Sequence, residues 1–306
     1  MTWQTSSSNA PLAGLAGIVT GAGKGLGRAF ALELAAAGAQ VVVNNRNRQI
    51  DDDGRGPADH VVAEIRAAGG QAVAEHSDVT DHRAVDAMIG RATEAFGRVD
   101  FLVTSAAVSN PEMFHKTSPA RFDAVTSINL GGTAHLAAAC AARMRPAGFG
   151  RIVLIASTAG LHGEPTASAY TASKGAIIAL GRAIAAEGAA RNVLTNVVLP
   201  YATTQMTDTG MQPEYRDLMT AEAVAPVVAA LVARESTLNG QILVCGGGGL
   251  RATDAVEFGT VPLSAELSPA ALAGLIGQSR AQTPTTYATA QDAFLDFAGS
   301  IERVPS

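Results

Sequence analysis

Short apolar runs rich in β-branched residues alternate along the chain with longer alanine-rich stretches in which apolar residues recur every three or four positions. The runs predict strands at Gly17–Thr20, Gln40–Val43, Gln71–Glu75, Val99–Val103, Arg151–Ala156, Val193–Leu199 and Gln241–Val244. The stretches between them predict helices at Gly25–Ala37, Asp59–Ala68, Asp81–Phe96, Ser118–Arg145, Ala169–Ala189 and Ala221–Ala233. Such alternation argues for an α/β fold, with parallel strands joined by crossover helices on both faces. Several strands are continuously apolar, as strands covered on both faces are. No internal repeat at solenoid periods interrupts the plan.

Two stretches fall outside it. Asn44–Pro57, NNRNRQIDDDGRGP, is polar and mixed in charge, and reads as a long surface loop after the second strand. Beyond the last strand, a Pro/Thr-rich spacer at Gln282–Thr286 separates helical patterns near Ser268–Ser279 and Ala290–Ile301. The expected organisation is a flexible arm over residues 1–11, a main domain over 12–250, and a C-terminal helical extension over 251–306. That extension is expected to pack on the domain or on a partner subunit.

Composition narrows the function classes. Of 306 residues, 47% are hydrophobic and 16% charged, a globular balance. The formal net charge of −5 gives no basic footprint for nucleic acid. Two cysteines, Cys140 and Cys245, make no disulfide framework and no metal-ligand spacing, so they read as buried thiols in a reducing compartment. No apolar run is long enough to span a membrane, and the N-terminus lacks a basic region followed by an apolar one. The cytoplasm is the default expectation, with no membrane, nucleic-acid or metal partner.

The first strand runs into TGAGKGLGRAF, Thr20–Phe30, which places glycines at 21, 23, 25 and 27 between a strand and a helix. Glycines there let the backbone turn tightly and approach a pyrophosphate seated on the helix N-terminus. The same turn could also exist without a ligand. Further along, SAYTASKGAI puts Tyr170 one helical turn before Lys174, so both leave one helix face. A cation beside a phenol favours phenolate and lowers its pKa. Taken alone, the pair also fits a solvated helix face.

Taken together, the ordered motifs are similar to those of the short-chain dehydrogenase/reductase family over about residues 12–250. T-G-x-x-x-G-x-G at the first turn precedes Asp78-Val79, Asn129 in SINLGG, Ser157 in IASTAG, and Tyr170 with Lys174. The resemblance implies a three-layer doubly wound Rossmann fold around a seven-stranded parallel sheet. It implies that Tyr170 is the general acid/base, that Ser157 bonds the substrate oxygen, and that Lys174 lowers the tyrosine pKa and holds the nicotinamide ribose. Asn129 would hold a water leading to bulk solvent. A dinucleotide would be bound by Gly21, Gly23, Lys24, Gly25, Leu26 and Gly27, and by Asn45 and Arg46 after strand two. Asp78 and Val79, Ser105, Ala106 and Ala107, Pro200 and Ala202 would complete its site with Tyr170 and Lys174. The loop after strand two and PYATTQMTDTGMQPEY also resemble the hydroxyacyl-CoA dehydrogenase domain of peroxisomal-type multifunctional enzymes and their bacterial relatives.

The chain departs from the family pattern in three places. TSAA, Thr104–Ala107, stands where N-N-A-G is usual, so Thr104 and Ser105 hydroxyls are expected to replace the asparagine bonds that brace the strands. Pro200-Tyr201 replaces the common Pro-Gly; Tyr201 either lines the nicotinamide pocket or packs. Ala167 replaces a frequent glutamine and would enlarge the substrate pocket. His162 and Glu164 fall where family members line substrate, although His162 reads equally well as a surface-loop residue.

Asn45 stands where NAD-preferring members carry an acid, and Arg46 and Lys24 lie nearby, so NADP(H) is expected over NAD(H). Asp51–Asp53 could fold back and reverse that sign. The leading function is hydride transfer between NADP(H) and a ketone or secondary alcohol, either a 3-oxoacyl thioester or a related bulky ketone. The alternatives are a non-redox dehydration, epimerisation or cyclisation at the same site, and a cofactor-binding regulator without catalysis. A homodimer or homotetramer is expected, with the tail reaching a substrate cleft.

Overall fold

The computed structural model describes residues 10–46, 49–207, 212–263 and 267–301. The expected arm therefore lies mostly outside the described residues, as do parts of the loop after strand two and of the segment after Pro200. The chain divides into two compact units, residues 1–252 and 253–306.

All seven expected strands are present: β1 (Ala16–Thr20), β2 (Gln40–Asn44), β3 (Gln71–Glu75), β4 (Phe101–Thr104), β5 (Gly150–Ile155), β6 (Val193–Pro200) and β7 (Ile242–Gly246). They are parallel throughout, in the order β3-β2-β1-β4-β5-β6-β7. An eighth, β8 (Gly249–Thr253), extends the sheet beyond β7. Only Gly247 and Gly248 join them, both at positive φ (56° and 79°). Two such residues form a type I′ hairpin turn, and so short a link returns the chain antiparallel. The turn's short run of glycines hid this edge strand from a pattern search.

Period-two alternation sends neighbouring strand residues to opposite faces. Val19, Val41, Val43, Phe101 and Val103 pack against α1 (Gly25–Ala36), α2 (Pro57–Ala67) and α8 (Ala225–Val232). Ile18, Val42, Leu102, Ile152 and Leu154 pack against α3 (His82–Phe96), α5 (Thr133–Ala147) and α7 (Ser168–Gly188). The sheet is thus the middle of three layers. No helix is long and apolar enough to cross a membrane among the described residues.

Local chemistry sets the helix ends. Asp81 caps α3 by accepting from the N–H groups of Arg83 and Ala84, and Gly97 ends it in the left-handed region (φ 75°). The single helix expected over Ser118–Arg145 is continuous but not uniform. Its α4 (Pro119–Thr126) passes into α5 through a π-helical segment, Ser127–Gly132, which carries Asn129. A short helix that the pattern did not show, α6 (Ala159–His162), packs tightly on α7: a Cβ on Gly160 would lie 2.6 Å from the backbone N of Gly175.

The second unit contains α9 (Pro269–Arg280) and α10 (Ala290–Ile301). Its own ties include a bridge between Glu257 and Thr285, a bond from Ser300 Oγ to Thr260 Oγ1 at 2.7 Å and one from Ser279 Oγ to the carbonyl of Gly259 at 2.8 Å. Neither helix has a buried residue.

Candidate active site

Strand order reverses around β1, which pairs with β2 on one side and β4 on the other. The crevice beyond the carboxyl ends of such strands is where open α/β sheets bind ligands. A cleft of about 400 Å³ lies there. Its walls include Gly21, Lys24, Gly25, Leu26 and Gly27 from the first turn, Asn45 and Arg46 after β2, and Asp78 and Val79 after β3. Ser105, Ala106 and Ala107 follow β4, Ser157 follows β5, Tyr170 and Lys174 come from α7, and Pro200 and Ala202 follow β6.

The glycine turn fits a dinucleotide. Gly21 and Gly25 have φ of 63° and 52°, a region that side chains strain. A Cβ on Gly27 would lie 2.3 Å from the carbonyl oxygen of Gly21. Lys24, at the N-cap of α1, makes no side-chain capping bond, and the first turn carries no acid. The open N–H groups and the helix dipole there suit a phosphate. Gly23 departs from expectation and does not line the cleft. A Cβ there would meet Pro57 Cβ at 2.5 Å and Asn45 Cγ at 2.7 Å, so this glycine admits the loop after β2.

Tyr170 and Ser157 are hydrogen bonded, and burial pushes the Tyr170 pKa up while that bond pulls it down; burial wins. Lys174 is buried, and loss of water lowers its pKa to about 8. Its Nζ donates to the carbonyl of Ile155 at 2.8 Å and lies 5.6 Å from the centre of the Tyr170 ring. Burial of the phenol and its bond with Ser157, not Lys174, set the direction of the Tyr170 shift. One of the three ammonium donors is used on a main-chain carbonyl, and burial disfavours the charged form.

Asn129 is buried outside the cleft. Its Oδ1 accepts from Val108 N at 2.8 Å; its Nδ2 donates to Val108 O and to Ser173 Oγ, both at 3.0 Å. Ser173 Oγ in turn donates to the carbonyl of Tyr170 at 2.7 Å. The side chain thus ties the loop after β4 to the helix carrying Tyr170 and Lys174.

The brace at TSAA also differs from expectation. Thr104 Oγ1 is buried without a partner. Thr20 Oγ1 instead accepts from the N–H groups of Ser105 and Ala106 at 3.1 and 3.2 Å. A hydroxyl on the neighbouring strand does the work assigned to Thr104 and Ser105.

None of the four expected substrate residues lines the cleft. His162 and Glu164 are exposed. Ala167 is the N-cap of α7, bridged through its backbone to Glu112. Tyr201 is 46% exposed and does not line the cleft. Thr204–Thr207, which no motif marks, line the cleft from the segment after β6. Thr204 Cβ would stand 3.5 Å from a Cβ on Gly25.

At the adenosine end, Arg46 is ion-paired with Asp78. Burial acts to raise the Asp78 pKa, but the Thr80 N–H and hydroxyl and the Arg46 guanidinium outweigh it and hold the carboxyl low. Lys24 Nζ donates to Gln49 Oε1 at 2.9 Å. Asp51 does not fold back: its carboxylate accepts from the N–H groups of Asp53 and Arg55 and pairs with His60. Asp52 and Asp53 are exposed outside the cleft.

Residues 16–218 match the model of the short chain dehydrogenase family. The chain is 41% identical over 233 residues to a putative short-chain type dehydrogenase/reductase of Mycobacterium tuberculosis, covering 76% of this chain and 82% of that one. It is 39% identical over 239 residues to the peroxisomal multifunctional enzyme type 2 of Drosophila melanogaster, covering 77% of this chain but 39% of that longer protein. The crystal structure of a short chain dehydrogenase from Mycobacterium avium superposes with a TM-score of 0.78 at 34% identity, over 90% of this chain and 98% of that one. With its glycine turn, its Ser157–Tyr170 pair and this similarity along the sheet, the chain belongs to the short-chain dehydrogenase/reductase family, oxidoreductases that act on CH–OH groups.

Proposed function

We propose that the protein transfers a hydride between NADP(H) and a ketone or secondary alcohol, with a 3-oxoacyl thioester or a comparably bulky ketone as substrate. The convergence of Ser157, Tyr170 and Lys174 at one end of the dinucleotide-shaped cleft carries this reading. Two observations favour NADP(H): Asn45, Arg46 and Lys24 line the adenosine side of the cleft, and Asp51 is turned into its own loop. The resemblance to hydroxyacyl-CoA dehydrogenase domains supports the thioester.

The roles follow from the geometry. A bound nicotinamide supplies or accepts the hydride. Tyr170, a phenol that is protonated at neutral pH, is the proton donor to the oxygen of a ketone being reduced. Ser157, hydrogen bonded to Tyr170, fixes that oxygen within reach of the phenol. Lys174 holds the end of β5 through Ile155 and offers its ammonium to the ribose side of the cleft. Asn129 positions α7 through Ser173.

The test is the loss of NADPH absorbance with 3-oxoacyl-CoA, polycyclic ketones and simple ketones, with Tyr170→Phe as control. Turnover that disappears in the variant supports the reading and shows which class fits. Tight NADPH binding with no turnover on any ketone overturns it.

A further inference from the structure

The free chain already supplies Arg46 with a carboxylate. Arg46 and Asp78 leave adjacent parallel strands, β2 and β3, at their carboxyl ends, and both line the cofactor cleft. Their ion pair spans that end of the cleft, with side chains 33% and 31% exposed. Asp78 keeps its place without the arginine, because its Oδ1 accepts from Thr80 N at 3.0 Å and Thr80 Oγ1 at 2.9 Å. Arg46 sits at the start of a loop, and its long side chain has more rotatable bonds with which to change partner. Asn44, two residues before it, is anchored by bonds from its Nδ2 to Glu75 and to the Ser77 carbonyl.

We propose that Asp78 limits the selectivity of the enzyme for NADP(H), by competing with the 2′-phosphate for the Arg46 guanidinium. This deepens the cofactor reading above and rests on it. A guanidinium that pairs with a 2′-phosphate must give up some or all of its hold on the carboxylate. A 2′-hydroxyl makes no such demand, so NADH binds with the Arg46–Asp78 pair intact. The cost of diverting Arg46 therefore falls on NADPH alone. Asp78 lowers the selectivity that Arg46 and Lys24 create, and the site tolerates both cofactors better than its basic residues suggest.

The test is the ratio of Kd values for NADH and NADPH, measured by cofactor fluorescence on binding, for wild type, Asp78→Asn, Arg46→Gln and the double variant. Any contact of Asp78 with the adenine acts on both cofactors and cancels in the ratio. Asparagine keeps the oxygen that accepts from Thr80, so the local turn is retained. The expected result is a rise of about fivefold in preference for NADPH in Asp78→Asn, the scale of a partly exposed ion pair. In the Arg46→Gln background the same substitution should leave the ratio unchanged. An unchanged or smaller preference in the single variant overturns the proposal, as does an equal rise without Arg46. Wild-type protein that binds both cofactors equally would overturn the NADP(H) preference itself, while the comparison between variants would still decide the role of Asp78.

Discussion

Lys174 Nζ donates to the carbonyl of Ile155 at 2.8 Å, which fastens the helix of Tyr170 to the strand that ends beside Ser157. The ammonium is buried, and its pKa falls to about 8 from an ordinary 10.5. Below pH 8 the lysine is charged in both folded and unfolded chains, and burying that charge costs stability in full. Between about 8 and 10.5 the folded lysine is neutral while the unfolded one still binds a proton, so stability rises with pH in that window. The gain over the window is about 3 kcal/mol. Urea denaturation of the cofactor-free protein and of Lys174→Met across this range should show wild type gaining on the variant. A constant difference between the two would show that the ammonium is not desolvated.

Thr20 and Thr104 offer a matched pair of hydroxyls at neighbouring strand ends, one used and one idle. Thr20→Val leaves two N–H groups without their acceptor, at Ser105 and Ala106. It should cost about 1–3 kcal/mol and weaken cofactor binding, since both residues line the cleft. Thr104→Val replaces a buried hydroxyl that has no partner, and should be neutral or stabilising. Chemical denaturation separates the two, and a larger loss at Thr104 would contradict the assignment.

That pair also shows where sequence reasoning reached and where it stopped. Strand positions, the glycine turn and the one-turn spacing of Tyr170 and Lys174 were legible, because apolar periodicity and short-range geometry dictate them, while Ser157 was legible through the family resemblance. Sixteen of the expected cofactor residues line the cleft, from Gly21 to Ala202. The brace from Thr20 was not legible, because it depends on β1 lying beside β4, a pairing between residues 84 positions apart such as Thr20 and Thr104. Gly23 looked like its neighbours in the motif, yet it faces Pro57. The state of Lys174 needed the depth of its burial, and spacing does not encode depth.

Asn129 uses its whole amide on Val108 and Ser173. Asn129→Ala removes three buried bonds and leaves the Val108 backbone groups unpaired, so it should cost about 2–4 kcal/mol. Ser173→Ala removes one of those bonds and the link to the Tyr170 carbonyl, and should cost about 1 kcal/mol. If Asn129 acts through the position of α7, Ser173→Ala should lower kcat with little change in KM. Equal stability losses from the two variants would argue that Val108 is not braced by the amide.

Thr166 lies two residues before α7 and has φ of 65°, a conformation that β-branched side chains rarely adopt. Its carbonyl accepts from Glu112 N at 2.6 Å, beside the bridge from Glu112 to Ala167, so the segment is held from outside. Strain of this kind costs on the order of 1–3 kcal/mol, against about 1 kcal/mol of extra chain entropy for a glycine. Thr166→Gly should therefore raise stability by about 0.5–1 kcal/mol. Thr166→Val keeps the branched carbon at the same φ and should gain nothing. The comparison is a thermal or urea unfolding series on the three proteins. A glycine variant less stable than wild type would show that the loop carries no strain at Thr166, and that entry into the Tyr170 helix is held only by the Glu112 backbone.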